Sequence, residues 1–189
     1  MTDLIELETD RLHLRQWISA DREPLAALNA DPRVTEYLGA LSRSDSDALA
    51  DRCEALLSEQ GWGVWATACK STGEFIGFVG LHIPSPDLPF SPCVEIAWRL
   101  AAQYWGNGFA TEAARGALRV AFETLALDSI VAFTALGNAR SRAVMERLDM
   151  QHAGTFEHPH LPEESPLRSH CLYRLERTAY FARRLTYPA

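Results

Sequence analysis

Polar and apolar residues alternate from Arg11 to Trp17, with Leu12, Leu14 and Gln16 opposite His13 and Arg15. That two-residue period predicts a first strand, one face of it buried. Ser19 or Asp21 stands where a helix cap belongs, and the helix runs to about Asn29 before Asp31-Pro32 stops it. A second helix opens at Ser44 or Asp45, carries Leu49, Cys53, Leu56 and Leu57 on one side, and ends at Gly61. Gly63–Cys69 and Glu74–His82 read as strands around the turn Ser71-Thr72-Gly73, hence a hairpin. Prolines 84, 86, 89 and 92 then impose a loop. Val94–Leu100 is apolar and partly alternating, a strand again. Beyond it Ala110, Ala114, Ala117, Leu118, Ala121, Phe122 and Leu125 recur at helical spacing. Ser129–Ala135 is a short apolar strand. Asn138–Leu148 is helical with Val144, Met145 and Leu148 inward. Met150–His158 and Arg168–Leu175 are strands around a polar loop, and Glu176–Leu185 is a terminal helix. Strands mixed with helices, with one strand–loop–helix–strand crossover in the middle, predict an α+β fold, an α/β sandwich.

The length, 189 residues, fits a single domain spanning 1–189. Hydrophobic residues make up 47%, enough for a packed core. A net charge of −7 argues against nonspecific nucleic-acid binding and weakly favours a basic peptide as partner. No apolar run approaches the roughly 20 residues needed to span a bilayer. The opening Met1-Thr-Asp-Leu-Ile-Glu is acidic and unlike a signal peptide, and Cys53, Cys69, Cys93 and Cys171 stand far apart. The expectation is a cytoplasmic protein with reduced thiols and no membrane partner.

The chemistry concentrates between Cys93 and Met145. The order strand, glycine loop, helix aims free backbone N–H groups and a positive helix end at one spot, a place for phosphate. The loop Gln103-Tyr-Trp-Gly106-Asn-Gly108-Phe-Ala is not a dinucleotide fingerprint, because Thr111 stands at the third glycine position. A phosphate loop ending in Gly-Lys-Ser/Thr is absent as well. The pattern Gln-x-x-Gly-x-Gly-x-Ala, continued by Thr-Glu-Ala, resembles the acetyl-CoA loop of the GNAT N-acetyltransferases, most of all the RimJ/RimL-like branch. The segment Asn138-Ala-Arg-Ser141-Arg-Ala-Val144-Met145 and the opening Glu8-Thr-Asp-Arg11-Leu-His-Leu-Arg15 extend the likeness over nearly the whole chain.

The resemblance implies a mixed, largely antiparallel sheet of six or seven strands flanked by helices, with a splayed strand pair that admits acetyl-CoA. It implies donor binding by Ile96, Ala97 and Trp98 of the central strand, by Gln103, Trp105, Gly106, Asn107, Gly108, Phe109 and Ala110 of the loop, and by Asn138 and Ser141. Glu95 lies in an apolar run, where a carboxylate is costly unless it faces a wet cleft. The reaction needs a base, since only a neutral amine attacks a thioester, and the resemblance gives Glu95 that role. Its other reading is a charge on the outward strand face. Ser141 would assist the departing thiolate, in place of the tyrosine many relatives use, although Asn138 and Ser141 also suit a helix cap and first turn. An N–H near Ile96 to Trp98 would polarise the carbonyl. The amine attacks directly, and Cys93 carries no intermediate. His158 and His160 form an H-x-H without acidic or thiol partners at recognisable spacing, so no metal is expected. His158 or His170 is a secondary candidate for proton transfer, and Tyr173 reads as a packed strand aromatic. Asp149 replaces a customary glycine and must adopt left-handed geometry. The acceptor is an amine, a protein or peptide N-terminus in the first reading. A small-molecule amine and a CoA-binding module without turnover are the alternatives. The expected state is monomer or homodimer.

Overall fold

A computed structural model describes residues 3–186. The chain gathers into two compact units. One holds the residues up to Leu81 together with Ala97–Gly116; the other holds His82–Ile96 and the residues from Ala117 onward.

In the first unit, strands β1 (Leu7–Glu8), β2 (Leu12–Arg15), β3 (Val64–Cys69) and β4 (Phe75–His82) pair antiparallel in that order. The alternation in β2 is realised: Leu12 and Leu14 are fully buried. Helix α1 is Arg22–Ala30, preceded by a 3-10 turn at Ser19–Asp21. Neither Ser19 nor Asp21 caps it by side chain. Asp21 is buried instead and accepts the Ile18 N–H at 3.0 Å and both Arg15 Nη groups at 2.7 and 2.9 Å. A forked guanidinium pair of this kind outcompetes a cap for a carboxylate. Asp31 ends α1 and caps the short helix α2 (Pro32–Thr35).

Helix α3 is Arg43–Gln60, and its cap is Ser42, not Ser44 or Asp45; the Ser42 hydroxyl takes the Asp45 N–H at 3.1 Å. Its inner stripe is Ser46, Ala50, Cys53 and Leu57, and Leu56 faces solvent. Gly61 terminates it, as expected.

The hairpin is confirmed, with β4 approaching β5 (Glu95–Leu100) closely. Gly77 makes that approach possible. A Cβ there would lie 2.2 Å from the Arg99 carbonyl oxygen and 2.7 Å from Leu100 Cα, and its φ is +142°. Gly77→Ala is therefore expected to destabilise the protein by about 2 kcal/mol or more, through overlap with immovable backbone and a strained φ. Equilibrium urea unfolding checks it; a midpoint equal to the parent's would contradict it.

In the second unit β5 begins parallel to β6 (Ser129–Ala135), in register at Glu95↔Val131 alone. Strand β8 (Ser169–Glu176) pairs antiparallel with β6, and β7 (Gln151–Glu157) with β8. The described residues thus form eight strands rather than six or seven, and the addition is the edge strand β1. Helix α4 (Phe109–Arg119) continues into a π-helical turn at Val120–Thr124. Ala114, Ala117, Leu118, Ala121 and Phe122 of the predicted stripe are buried. Helix α5 is Ala139–Arg147 and α6 is Arg177–Thr186. Asp149 takes the left-handed conformation expected of it, φ +63°. No helix among the described residues is long and apolar enough to cross a membrane.

Candidate active site

The glycine loop lies in the first unit. Trp105 Nε1 donates to the Leu100 carbonyl at 2.8 Å, which pins the loop to the end of β5. The Asn107 amide donates to the Trp105 and Tyr104 carbonyls at 3.0 and 3.3 Å, so Asn107 holds the loop's shape. Gly106 and Gly108 have φ of +77° and +79°, the region that glycine alone enters freely. Both are exposed, and no heavy atom lies within 4 Å of a Cβ built on Gly106. The Gly108 carbonyl accepts the Glu112 N–H at 3.0 Å, the first bond of α4. The amides of Phe109, Ala110 and Thr111 precede that bond and have no acceptor within the helix. Open space beside turned-out backbone N–H groups at a helix start fits a pyrophosphate. Gln103 is exposed, in a 3-10 turn at Ala102–Tyr104.

A contact that no local motif announces fixes this helix start. Glu112 Oε1 accepts the Thr9 hydroxyl at 2.6 Å and the Arg11 N–H at 2.8 Å, and Oε2 accepts Arg11 Nε at 2.7 Å. Burial alone would raise the Glu112 pKa, but these bonds outweigh it and hold it below the usual value. Arg11 also stacks over Phe109, 4.5 Å from the ring centroid. Both partners belong to stretches noted for their likeness, the opening and the Thr-Glu-Ala after the loop. Their separation of about a hundred positions hides the pairing in the sequence.

Glu95 lies in the second unit. It is buried, not on an outward strand face. His82, at the end of β4, places Nε2 3.0 Å from Glu95 Oε2. Burial raises the carboxyl pKa, and the histidine moderates the rise. For His82 burial pulls the other way, yet the Glu95 hydrogen bond and charge prevail and its pKa is raised. The Glu95 side chain is 11% exposed and that of His82 33%, so the histidine is the wetter partner. In the sequence His82 marks only the end of a strand.

Asn138 caps α5, as its alternative role required. Its Oδ1 accepts the Ser141 N–H at 3.2 Å, while Nδ2 donates to Thr134 Oγ1 at 2.9 Å and to Ser141 Oγ at 3.1 Å. Ser141 Oγ is thereby an acceptor from Asn138, and its own hydrogen is left to donate elsewhere. Ile96 belongs with Glu95, Asn138 and Ser141 in the second unit; Ala97 and Trp98 belong with the loop in the first.

His158 and His170 lie with their rings tilted by 46° at a centroid distance of 4.9 Å, beside Phe133 and Phe156. Burial lowers both pKa values, and for His158 the neighbouring histidines add to the effect. No group of three or more His, Cys, Asp or Glu among the described residues is arranged to hold a metal. Tyr173 is buried, its hydroxyl 3.4 Å from Glu146, a packed strand residue.

Comparison with known proteins decides the family. The pattern of the acetyltransferase (GNAT) domain matches residues 11–151. The chain belongs to the GNAT acetyltransferase family. It is 32% identical over 154 residues to YkkB of Bacillus subtilis (strain 168), covering 79% of this chain and 87% of that one. It is 33% identical over 159 residues to the FsC-acetyl coenzyme A-N(2)-transacetylase of Aspergillus fumigatus, covering 79% of this chain and 66% of the enzyme. The crystal structure of an acetyltransferase from Agrobacterium tumefaciens str. C58 superposes with a TM-score of 0.74 at 28% identity, covering 93% and 96% of the two chains. The fold is thus the GNAT fold, a mixed sheet flanked by helices, and the chain is an N-acetyltransferase. GNAT enzymes generally draw the acetyl group from acetyl-CoA.

Proposed function

We propose that this GNAT enzyme is one acetyltransferase domain that moves the acetyl group of acetyl-CoA to a primary amine by direct attack, with Glu95 as base. The observation that carries this reading is the buried Glu95–His82 pair. A carboxylate held in a strand with its pKa raised is suited to accept a proton from an ammonium near neutral pH.

Acetyl-CoA, when bound, supplies the acyl group as a thioester. The N–H groups of Phe109, Ala110 and Thr111, with the open backbone at Gly106 and Gly108, would hold its pyrophosphate, with the exposed Gln103 beside them; Trp105 and Asn107 keep the loop in shape. Glu95 takes the proton from the acceptor ammonium, directly or through a water, and hands it to His82, whose greater exposure offers a way to solvent. A backbone N–H among Ile96, Ala97 and Trp98 donates to the carbonyl oxygen as negative charge grows on it. Ser141, its oxygen engaged by Asn138, donates its hydrogen towards the departing sulfur.

Ser141→Ala separates this role from helix packing. The loss of a first-turn hydroxyl costs stability of about 1 kcal/mol or less. The chemical step should slow, and a thioester with a better leaving group should restore part of it. Melting curves and single-turnover rates on both thioesters decide the matter; equal rates for parent and variant would leave Ser141 only structural.

The acceptor we favour is a protein or peptide N-terminus, in line with the RimJ/RimL-like resemblance. A Bacillus subtilis protein whose name proposes a ribosomal N-acetyltransferase, YdaF, is 38% identical over 82 residues, 43% of this chain. A small-molecule amine is the second reading, supported by the longer match to the Aspergillus N(2)-transacetylase. Comparing kcat/KM on N-terminal peptides with that on free small amines discriminates between them.

A further inference from the structure

Two arginines of the first unit are drawn into the protein, and they are treated oppositely. Arg15 is gripped in a fork by Asp21, at 2.7 and 2.9 Å, and its pKa is raised. Arg99, on β5, has no carboxylate partner among the described residues. Nη1 donates to Asn29 Oδ1 at 2.5 Å, and the guanidinium carbon lies 5.2 Å from the Phe78 ring centroid. The Cys53 thiol, the one ionisable group that acts on Arg99 noticeably, is pushed up to about 11 by burial and so stays neutral. Burial pulls Arg99 itself down to about 10, which leaves it a cation at neutral pH.

The support behind Arg99 is built rather than incidental. Asn29 of α1 is fully buried, and its Nδ2 donates to Ser46 Oγ of α3 at 3.0 Å, itself fully buried. This chain turns Asn29 Oδ1 towards Arg99 and fixes one edge of the guanidinium. Phe78 supports its face, an arrangement that favours a cation. Of the five N–H bonds a guanidinium offers, one is used among the described residues. Among those residues Nε and Nη2 have no acceptor, yet neither is among the nitrogens sealed from solvent without a partner. A half-buried cation without a carboxylate among the described residues, its remaining planar fork held rigid and open, is matched by a planar oxyanion that accepts two parallel bonds.

We propose that Arg99, backed by Asn29 and Phe78, is a binding site for a carboxylate carried by the acceptor amine. Only the naming of the acceptor as the carrier rests on the acetyl-transfer reading; the anion site stands without it. A carboxylate would replace the missing partner of Arg99, as Asp21 does for Arg15. The amide analogue of such an acceptor would instead place an NH₂ group against the fork of donors.

The test begins with binding, in which no turnover is needed. The full chain is melted with succinate and with succinamide at constant ionic strength. A rise specific to succinate is expected in the parent, absent in Arg99→Gln and reduced in Arg99→Lys. No succinate-specific rise in the parent, or the same rise in Arg99→Gln, overturns the proposal. The parent arm stands even if a variant fails to fold. A second arm titrates CoA: its affinity should stay within about threefold in Arg99→Gln, and a larger loss would assign the site to a CoA phosphate and overturn the acceptor assignment. The third arm compares acceptor amines bearing a carboxylate with their amides. The parent should prefer the carboxylates by at least about tenfold in kcat/KM, and Arg99→Gln should show little preference. An equal preference in both overturns the proposal. Absence of turnover on every amine, with the succinate rise intact, would count against the acetyl-transfer reading and leave the anion site in place.

Discussion

Glu95→Gln is expected to lower turnover by about 10²-fold or more at neutral pH while CoA affinity changes little. The amide keeps the shape of the carboxylate and can still meet His82, but it cannot accept the ammonium proton. The pH dependence should move with it. In the parent, kcat/KM should rise as the Glu95–His82 pair gives up its proton, a titration that belongs to the two groups together. In the variant that step disappears and the rate should follow the free amine, rising at higher pH. Stability should respond in the opposite sense. The folded-state pKa of Glu95 is raised, so its neutral form favours folding at low pH, and this contribution is lost as pH rises through the raised value. Glu95→Gln should therefore melt at or above the parent temperature in alkaline solution, where His82 is neutral and the parent retains a buried carboxylate without a cation. Parent-like turnover and an unchanged pH profile in the variant would move the base elsewhere, with His158 and His170 the next residues to replace.

Gly108→Val should abolish most of the stabilisation that CoA gives. A ligand present at about 100 times its Kd stabilises a native state by about 2.7 kcal/mol through mass action. The parent should show the corresponding rise in melting temperature with acetyl-CoA, several degrees for a chain of this size, and much less with NAD or ATP at equal concentration. The variant fails for a conformational reason first. At φ +79° a β-branched residue is a severe outlier, whereas space is not lacking, since the nearest atom to a Cβ would be Arg11 Nη2 at 3.6 Å. The loop must re-form, and the amides of Phe109 and Ala110 turn away. An NAD-induced rise equal to that of acetyl-CoA in the parent, or a CoA rise undiminished in the variant, would contradict the loop assignment.

What could be read from the chain followed the reach of each signal. The β3–β4 hairpin was legible because two apolar runs flank Ser71-Thr72-Gly73, and α4 because its small apolar residues repeat at helical spacing over several turns. Strand β1 was not, since Leu7–Glu8 is too short to show a period and exists through its pairing with Leu14 and His13. At the start of α3 the residues Ser42, Ser44 and Asp45 are all fit to cap, and local preference does not rank them. The same helix shows how a stripe drifts. Helical spacing puts Leu56 inward, but the buried line runs Ser46, Ala50, Cys53, Leu57, with a serine that bonds to Asn29 where a leucine would be sought. The glycine loop and the Asn138 cap are local motifs and were visible. His82 with Glu95, Arg11 with Glu112, and Arg99 with Asn29 join residues that only tertiary structure brings together, and no spacing rule announces them. A buried Glu95 hinted at a partner through its apolar surroundings without naming it.

Acetyl transfer from acetyl-CoA to an amine is open to a direct test by thiol release from acetyl-CoA, measured against a panel of N-terminal peptides and small amines. The expected result is release that depends on an amine, saturates with it, and yields the N-acetylated amine in equal amount. Tight CoA binding with no amine-dependent release from any member of the panel would contradict the claim and make the chain a CoA-binding module.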